Sequence, residues 1–441
     1  MTRPSFIHDP AQHSVRRSLD LHSRALQIIP GAAQAFSKSA SQMAMCVSPL
    51  FIMRAEGSRV WDVDGHEYVD YMMGLGPVIL GHGFAPVVEA QVDQLRRGQA
   101  LSLTCPLELE VAEMICQMVP SAEMVKFAKN GSDVTGAAIR LARCATGRDH
   151  VAAGGYHGWH DWYIGATEWH GGVPQAVREL THRFDQRDAD TLTALFEQYP
   201  DQIAAVIIEP ATYSAPPDKT LLETVKQITH RHGALLIFDE VLSGFRTHNN
   251  CVQGQTGIVP DLCTLGKAIA NGAPLSAVVG RGDLMQRFTK DAFFSFTFGG
   301  EAVSLAAGAA TLQIIDQQPV CQHITALGER LREGISESTR RHQLDQYIGI
   351  SGPGPMLAFS FADAPDAEAA VLRTMLIQEL ARRGVLALGY MVLSYSHSDA
   401  DIDTTLRVHE TAFELISDHL RRGTLAQQLE GPPVTPVFRA R

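Results

Sequence analysis

The stretch L-L-I-F-D-E-V-L-S-G-F-R, residues 235 to 246, reads as a short apolar strand that ends in a carboxylate, Asp239. Around it, from about residue 80 to residue 315, helical patterns alternate with other short apolar runs: M-V-K-F-A, A-A-V-I-I-E-P and S-A-V-V-G. That alternation predicts βα units building a mainly parallel central sheet covered by helices, an α/β fold. Glu209, Asp239 and Lys267 each fall where an apolar strand gives way to a loop, and open α/β sheets carry their functional residues there.

Downstream, T-L-G-K-A-I-A-N-G-A-P-L, residues 264 to 275, sets Lys267 between glycines just after another apolar stretch. A lysine and an acid at two strand ends match the needs of pyridoxal phosphate. That cofactor takes a lysine amine to hold its aldehyde as a Schiff base and a carboxylate to keep its ring nitrogen protonated as an electron sink. Alone, each residue has an ordinary reading: an acid at a strand end caps a turn, and Gly-Lys is a solvated turn. In K-N-G-S-D-V-T-G-A-A-I-R-L-A-R, residues 129 to 143, an Asn-Gly-Ser turn runs into an Ala-rich amphipathic helix. Gly131 and Ser132 there would turn backbone N–H groups and a helix N-terminus toward a phosphate, although such a turn is by itself an N-cap. Val241, two residues after Asp239 and so on the same side of an extended strand, is a candidate for packing on the cofactor ring, or else a core valine.

Composition fits an enzyme of ordinary size. The chain has 441 residues, 45% of them hydrophobic, enough for one large domain and a smaller one. A formal net charge of −11 and no compact Lys/Arg run argue against nucleic acid or an anionic membrane as partner. No leader-like start and no apolar run of bilayer-spanning length are present, so the expected address is cytoplasmic. Seven scattered cysteines without C-x-x-C spacing read as reduced thiols. His157 and His160, and His230 and His232, are close pairs, but no H-E-x-x-H occurs and no metal is expected.

Residues 15 to 29 form a helical candidate, followed by an irregular polar segment. V-W-D-V-D-G-H-E-Y-V-D-Y suits a hairpin with Asp64-Gly65 as its turn. Beyond about residue 320 come a polar helical pattern, strand-like M-L-A-F-S-F, and a long helix ending near Arg422. The expected organisation is an N-terminal arm and hairpin (1–80), a large cofactor-binding domain (81–318), a small C-terminal domain (319–425), and a loosely ordered Pro-rich tail (426–441).

With these motifs in order, the chain resembles the class III aminotransferases of fold type I, and most closely those that act as glutamate-1-semialdehyde aminomutases. The likeness runs from I-I-P-G-A-A-Q-A-F-S-K (28–38) through W-D-V-D-G-H-E-Y-V-D-Y, G-Y-H-G and I-I-E-P to S-H-S-D-A-D-I-D (396–403). It implies a smaller α+β domain built from the N-terminal arm and the C-terminal part, and pyridoxal 5'-phosphate as cofactor, cycling through pyridoxamine 5'-phosphate. It also implies Lys267 and Asp239 as catalytic residues, Tyr156 stacking on the cofactor ring with His157 beside it, and Glu209 in the cofactor site. Thr297 stands where relatives reach the phosphate of the neighbouring subunit's cofactor, which implies a homodimer with shared active sites. Lys38 aligns near an arginine that relatives use for a substrate carboxylate, and Glu301 stands where many relatives have Asn; both are substrate-binding candidates.

Several stretches depart from the aminomutase pattern. The long mobile gate after Y-H-G is absent, and the chain runs from Gly158 through W-H-D-W-Y-I-G to G-V-P at 172 to 174. An aminomutase must retain a reactive diamine, so loss of a retaining lid argues against that activity. Lys38 is a point charge rather than a bidentate clamp. Leu388, Gly389 and Tyr390 replace a Phe-Glu pair, and A-T-Y-S-A-P-P follows Glu209 and Pro210. The expected function is amino transfer from an amino-acid donor to a separate carbonyl acceptor, such as a keto sugar or another biosynthetic intermediate. The alternatives are the aminomutase itself, a class III racemase or decarboxylase, and a non-enzymatic scaffold, which retention of both Lys267 and Asp239 disfavours.

Overall fold

In the computed structural model, which describes residue 7 and residues 12–435, strand Leu235–Glu240 lies at the centre of a seven-stranded sheet. The strands run in the order Met124–Ala128, Ser276–Gly280, Leu262–Leu265, Leu235–Glu240, Ile203–Ile208, His150–Gly154 and Thr181–Arg183. Ser276–Gly280 is antiparallel to both neighbours, and the remaining pairings are parallel. The sheet is therefore mixed but mainly parallel, as the βα alternation predicts.

Every residue of Ile203–Ile208 is buried, because helices cover both faces of the sheet. Successive side chains leave opposite faces, and the core divides accordingly. Ile207, Ile237, Val151 and Val278 pack with Val134, Ala138 and Leu141 of helix Gly131–Thr146. Val206, Leu236, Phe238 and Cys263 pack on the other face with Leu222 and Val225 of helix Lys219–Arg231. Each large apolar side chain buried this way contributes about 1.5–3 kcal/mol.

The smaller part joins the two ends of the chain. Strands Ile52–Glu56, Arg59–Asp62 and Glu67–Asp70 form an antiparallel meander, and Val385–Leu386 adds to it in parallel, Val385 opposite Val69. A three-stranded antiparallel sheet (Ile348–Ser351, Met356–Phe361, Tyr390–Val392) and helices Val320–Arg341, Ala369–Arg382 and Asp399–Arg421 complete it. The hairpin loop spans four residues rather than the two of Asp64-Gly65. Asp62 builds it by accepting from Asp64 N (3.0 Å), His66 N (2.8 Å) and Tyr68 Oη (2.9 Å), and Gly65 takes φ +97°. Asp64 turns outward to accept from the backbone of Arg17 and Ser18 at the start of helix Arg16–Ala25.

The tail expected to be loosely ordered is held through residue 435. Val434 is buried, its N–H donates to Thr374 Oγ1 at 2.9 Å, and the Thr435 carbonyl accepts from Gln42 Nε2 at 2.7 Å. Pro432 and Pro433 precondition an extended backbone, which lets one apolar residue dock at little entropic cost. Residues 436 to 441 lie outside the described residues.

Candidate functional site

Parallel strands deliver their C-terminal ends to one edge of the sheet, and Asp239 is the penultimate residue of its strand. It is buried, and register sets it opposite Thr264 on the adjacent strand. Its Oδ1 accepts from Thr264 Oγ1 (3.0 Å) and Val241 N (3.1 Å). Its Oδ2 pairs with His157 Nδ1 at 2.8 Å, while His157 Nε2 lies 3.1 Å from the Gly154 carbonyl. The carboxylate is thus fixed in orientation by three neighbours, as a group holding a charge partner in place must be.

Lys267 follows strand Leu262–Leu265 and opens a 3-10 turn, Lys267–Ala270. Its φ of +43° is unusual for a residue with a Cβ, and such backbone is retained where surrounding structure enforces it. Burial pulls its amine below the ordinary lysine value, with Glu209 and Asp239 opposing that fall. Glu209 accepts from Tyr156 N at 2.9 Å. Burial pushes its carboxyl above the ordinary range, His157 opposes the rise, and Asp239 adds to it.

These residues surround one cavity of about 470 Å³, whose lining includes Gly131, Ser132, Tyr156, His157, Glu209, Asp239, Val241 and Lys267. Gly131 opens helix Gly131–Thr146, and Asn130 caps it in a reciprocal box with Asp133 (3.3 Å and 3.1 Å). The ordinary N-cap reading and the cavity-wall reading of this turn therefore both hold. A Cβ at Gly131 would stand 2.9 Å from Val241 Cγ1, so the bare backbone keeps the helix N-terminus open to the cavity. Ser132 Oγ accepts from Trp159 N at 3.2 Å. A cavity with a buried amine at one wall, a fixed carboxylate at another and the start of helix Gly131–Thr146 at a third fits a cofactor with an aldehyde, a ring nitrogen and a phosphate.

Val241 reaches the cavity by a route other than the one expected. Its strand ends at Glu240, and Val241 lies in the following turn rather than in an extended strand. Three candidates are not in the lining. Lys38 is exposed in the 3-10 turn Phe36–Lys38. Thr297 is exposed in the segment before helix Ala302–Gln317. Glu301, expected at the substrate, caps that helix instead, accepting from Val303 N (3.0 Å) and Ser304 N (3.1 Å) and pairing with Lys129 Nζ at 3.0 Å. Burial raises its carboxyl, but the bonds from Ser304 and Lys129 prevail and hold it below the ordinary value.

The sequence reading missed several contributors. Gly74, Leu75 and Pro77, and Gly272 to Leu275, line the cavity; the turn-rich G-L-G-P run was the available signal. Arg246 is fully buried, donating from Nη1 to the Leu393 carbonyl at 2.9 Å and from Nη2 to the Gly76 carbonyl. It ties the cavity rim to the C-terminal part, and burial lowers its guanidinium to about 10. His230 pairs with Asp261 at 2.8 Å and His232 stacks on Phe196, which accounts for both as packing residues. Among the described residues, no group of three or more His, Cys, Asp or Glu side chains is arranged to hold a metal, and no helix is long and apolar enough to cross a membrane.

Comparison with known proteins agrees with this geometry. The family described as aminotransferase class-III matches residues 40–412. The glutamate-1-semialdehyde 2,1-aminomutase of Halobacterium salinarum (strain ATCC 29341 / DSM 671 / R1) is 33% identical, over 90% of this chain and 99% of its own. Among solved structures, a PLP form of the Sphingopyxis sp. MTA144 FumI protein is 31% identical with a TM-score of 0.85, covering 92% of this chain and 98% of that one. An omega-transaminase from Sphaerobacter thermophilus is 27% identical with a TM-score of 0.82, covering 90% and 97%. The chain therefore belongs to the class III aminotransferases, enzymes of fold type I whose cofactor is pyridoxal phosphate.

Proposed function

We propose that this protein transfers an amino group from an amino-acid donor to a separate carbonyl acceptor, as a class III aminotransferase. The observation that carries this reading is the segment after His157. The stretch from 158 to 174 is short, and its first part, which brings Gly158 and Trp159 to the cavity, is anchored: helix Asp161–Ile164 buries Trp162 and Tyr163, and Tyr163 Oη donates to the Gly155 carbonyl at 2.6 Å. A segment fixed by buried aromatics does not retain an intermediate by closing over it. Likeness to an omega-transaminase supports the same reading. The aminomutase is the second reading, favoured by the 33% identity to such an enzyme.

Pyridoxal phosphate, when bound, supplies an electrophilic carbon and an electron sink. The chain's residues supply the rest. The helix start at Gly131 and Ser132 would hold the phosphate, and Tyr156 and Val241, which line the same cavity, would pack on the ring. Asp239, held by His157 and Thr264, keeps a positive charge on the ring nitrogen. Lys267 Nζ, whose burial favours the neutral amine, would anchor the cofactor and, once the amino donor has displaced it, would serve as the base that takes the proton from the substrate carbon bearing the amine. Thr297 is assigned to the cofactor phosphate of a partner subunit in a homodimer. The acceptor is a carbonyl compound, with keto sugars among the candidates.

Purified protein with cofactor, offered glutamate or another amino acid plus a panel of carbonyl compounds, is expected to give two products by mass spectrometry: the donor's keto acid and an aminated acceptor. Efficient conversion of glutamate-1-semialdehyde to 5-aminolevulinate with no donor present would establish the second reading instead.

A further inference from the structure

A second, smaller cavity of about 180 Å³ lies where the N-terminal segment meets the C-terminal part. Ser37 and Gln42 border it from one side, and Phe359, Phe361, Arg373 and Tyr390 from the other. Two polar atoms in it are unusual. Arg373 Nε and Tyr390 Oη are buried, and neither has a hydrogen-bond partner among the described residues. Most buried donors find an acceptor, and an orphan pair facing one void is a pre-formed place for a ligand that brings acceptors. Burial lowers the Arg373 guanidinium, and the group opposing that fall is Tyr390; no carboxylate among the described residues does so.

The guanidinium is held flat against the backbone. A Cβ at Gly389 would stand 3.3 Å from Arg373 Cζ, Nε and Nη2, so any larger residue there would press on its face. A chain of contacts joins this cavity to the cofactor site. The Tyr390 ring is 5.0 Å from the Tyr213 ring, and Tyr213 Oη and Lys267 Cδ lie 3.8 Å and 3.6 Å from the same point, the place of a Gly76 Cβ. The order from the reacting lysine outward is thus Tyr213, Tyr390, Arg373.

We propose that Arg373 and the Tyr390 hydroxyl form an anion subsite that takes the carboxylate of an amine or carbonyl substrate, held several bonds from its reacting carbon. This rests on the transaminase reading for the reacting end. The contacts from Lys267 to the guanidinium run through two aromatic rings, Tyr213 and Tyr390, so the subsite is assigned a carboxylate at the far end of the substrate rather than one on the reacting carbon. The Phe359, Phe361 and tyrosine walls suit an apolar stem between the two ends. Arg373 is a specificity residue in this scheme; it touches no reacting atom.

Calorimetric titration of the cofactor-loaded protein with hexanoate and hexanamide tests the subsite directly. Wild type is expected to bind hexanoate, Arg373→Gln to weaken it about tenfold or more, and Tyr390→Phe by about three- to tenfold, with hexanamide changed less than about twofold. Absence of hexanoate binding to wild type, or retained affinity in Arg373→Gln, overturns the proposal. If Arg373→Gln does not fold, unchanged affinity in Tyr390→Phe overturns it. In turnover, Arg373→Gln is expected to raise KM for 6-aminohexanoate with kcat kept, and to leave hexylamine unchanged. Hexanoate binding that depends on Arg373 in a protein that transfers no amino group from glutamate, other amino acids or these amines to any of the carbonyl panel would support the subsite while removing the transaminase reading.

Discussion

His157 Nδ1 lies 2.8 Å from Asp239 Oδ2, although the two residues are 82 positions apart, His157 just past one strand and Asp239 inside the end of another. The bond leaves Asp239 with one orientation, because Thr264 and the Val241 backbone occupy its other oxygen. A carboxylate so restrained holds a cationic ring nitrogen without reorganising, and preorganised charge of this kind is a large term in catalysis.

Replacing Asp239 by Asn keeps the side-chain shape and removes the charge. The variant is expected to fold and to retain cofactor through the phosphate contacts, while kcat falls by about a hundredfold or more. Stopped-flow measurement of the donor half-reaction checks this. A rate equal to the parent's would make Asp239 a strand-end residue only.

Lys267→Ala removes the residue proposed as both covalent anchor and proton carrier. Turnover is expected to drop on the order of a thousandfold or more, with melting temperature and cofactor stoichiometry reporting an intact fold. Borohydride reduction of the parent followed by peptide mapping is expected to fix the cofactor to Lys267, and modification of another lysine would displace the assignment.

Glu301 is expected to matter for stability rather than for substrate. Glu301→Ala strips the cap from helix Ala302–Gln317 and leaves Lys129 without its partner, a loss of about 1–3 kcal/mol in urea unfolding. KM is expected to change little, since Glu301 is outside the cavity lining. A large KM effect with unchanged stability would return it to the substrate site.

Acid is expected to weaken the C-terminal part through His409. Burial lowers its imidazole from 6.5 to about 4, its Nδ1 lies 2.8 Å from the Thr405 carbonyl, and its Nε2 has no hydrogen-bond partner among the described residues. Between those values the unfolded chain binds the proton and the folded one does not, so stability present above pH 6.5 is lost as pH falls toward 4. The loss from this one residue is about 2 kcal/mol by pH 5. His409→Phe keeps a ring between Phe359 and Phe413, and its unfolding free energy is expected to fall less between pH 7 and pH 5 than the parent's.

The sequence by itself determined the parts that contiguous residues encode. Apolar runs such as 203 to 208 and 235 to 240 show where buried strands lie, and the periodicity of 320 to 341 and 399 to 421 shows the long helices. The order of Asp239 and Lys267 in that frame pointed to the chemistry, because strand ends of a parallel sheet converge on one edge whatever the details. Only the tertiary structure decided which distant groups meet. Register across two strands put Thr264 on Asp239, and the turn after Glu240 rather than a longer strand brought Val241 to the cavity. Packing of the N-terminal segment on the C-terminal sheet left Arg373 and Tyr390 facing one void. Glu301 illustrates the reason: its position in a motif suggested a substrate contact, while the fold brings two helix N–H groups and the half-buried Lys129 to its carboxylate, which accepts from the donors it can reach.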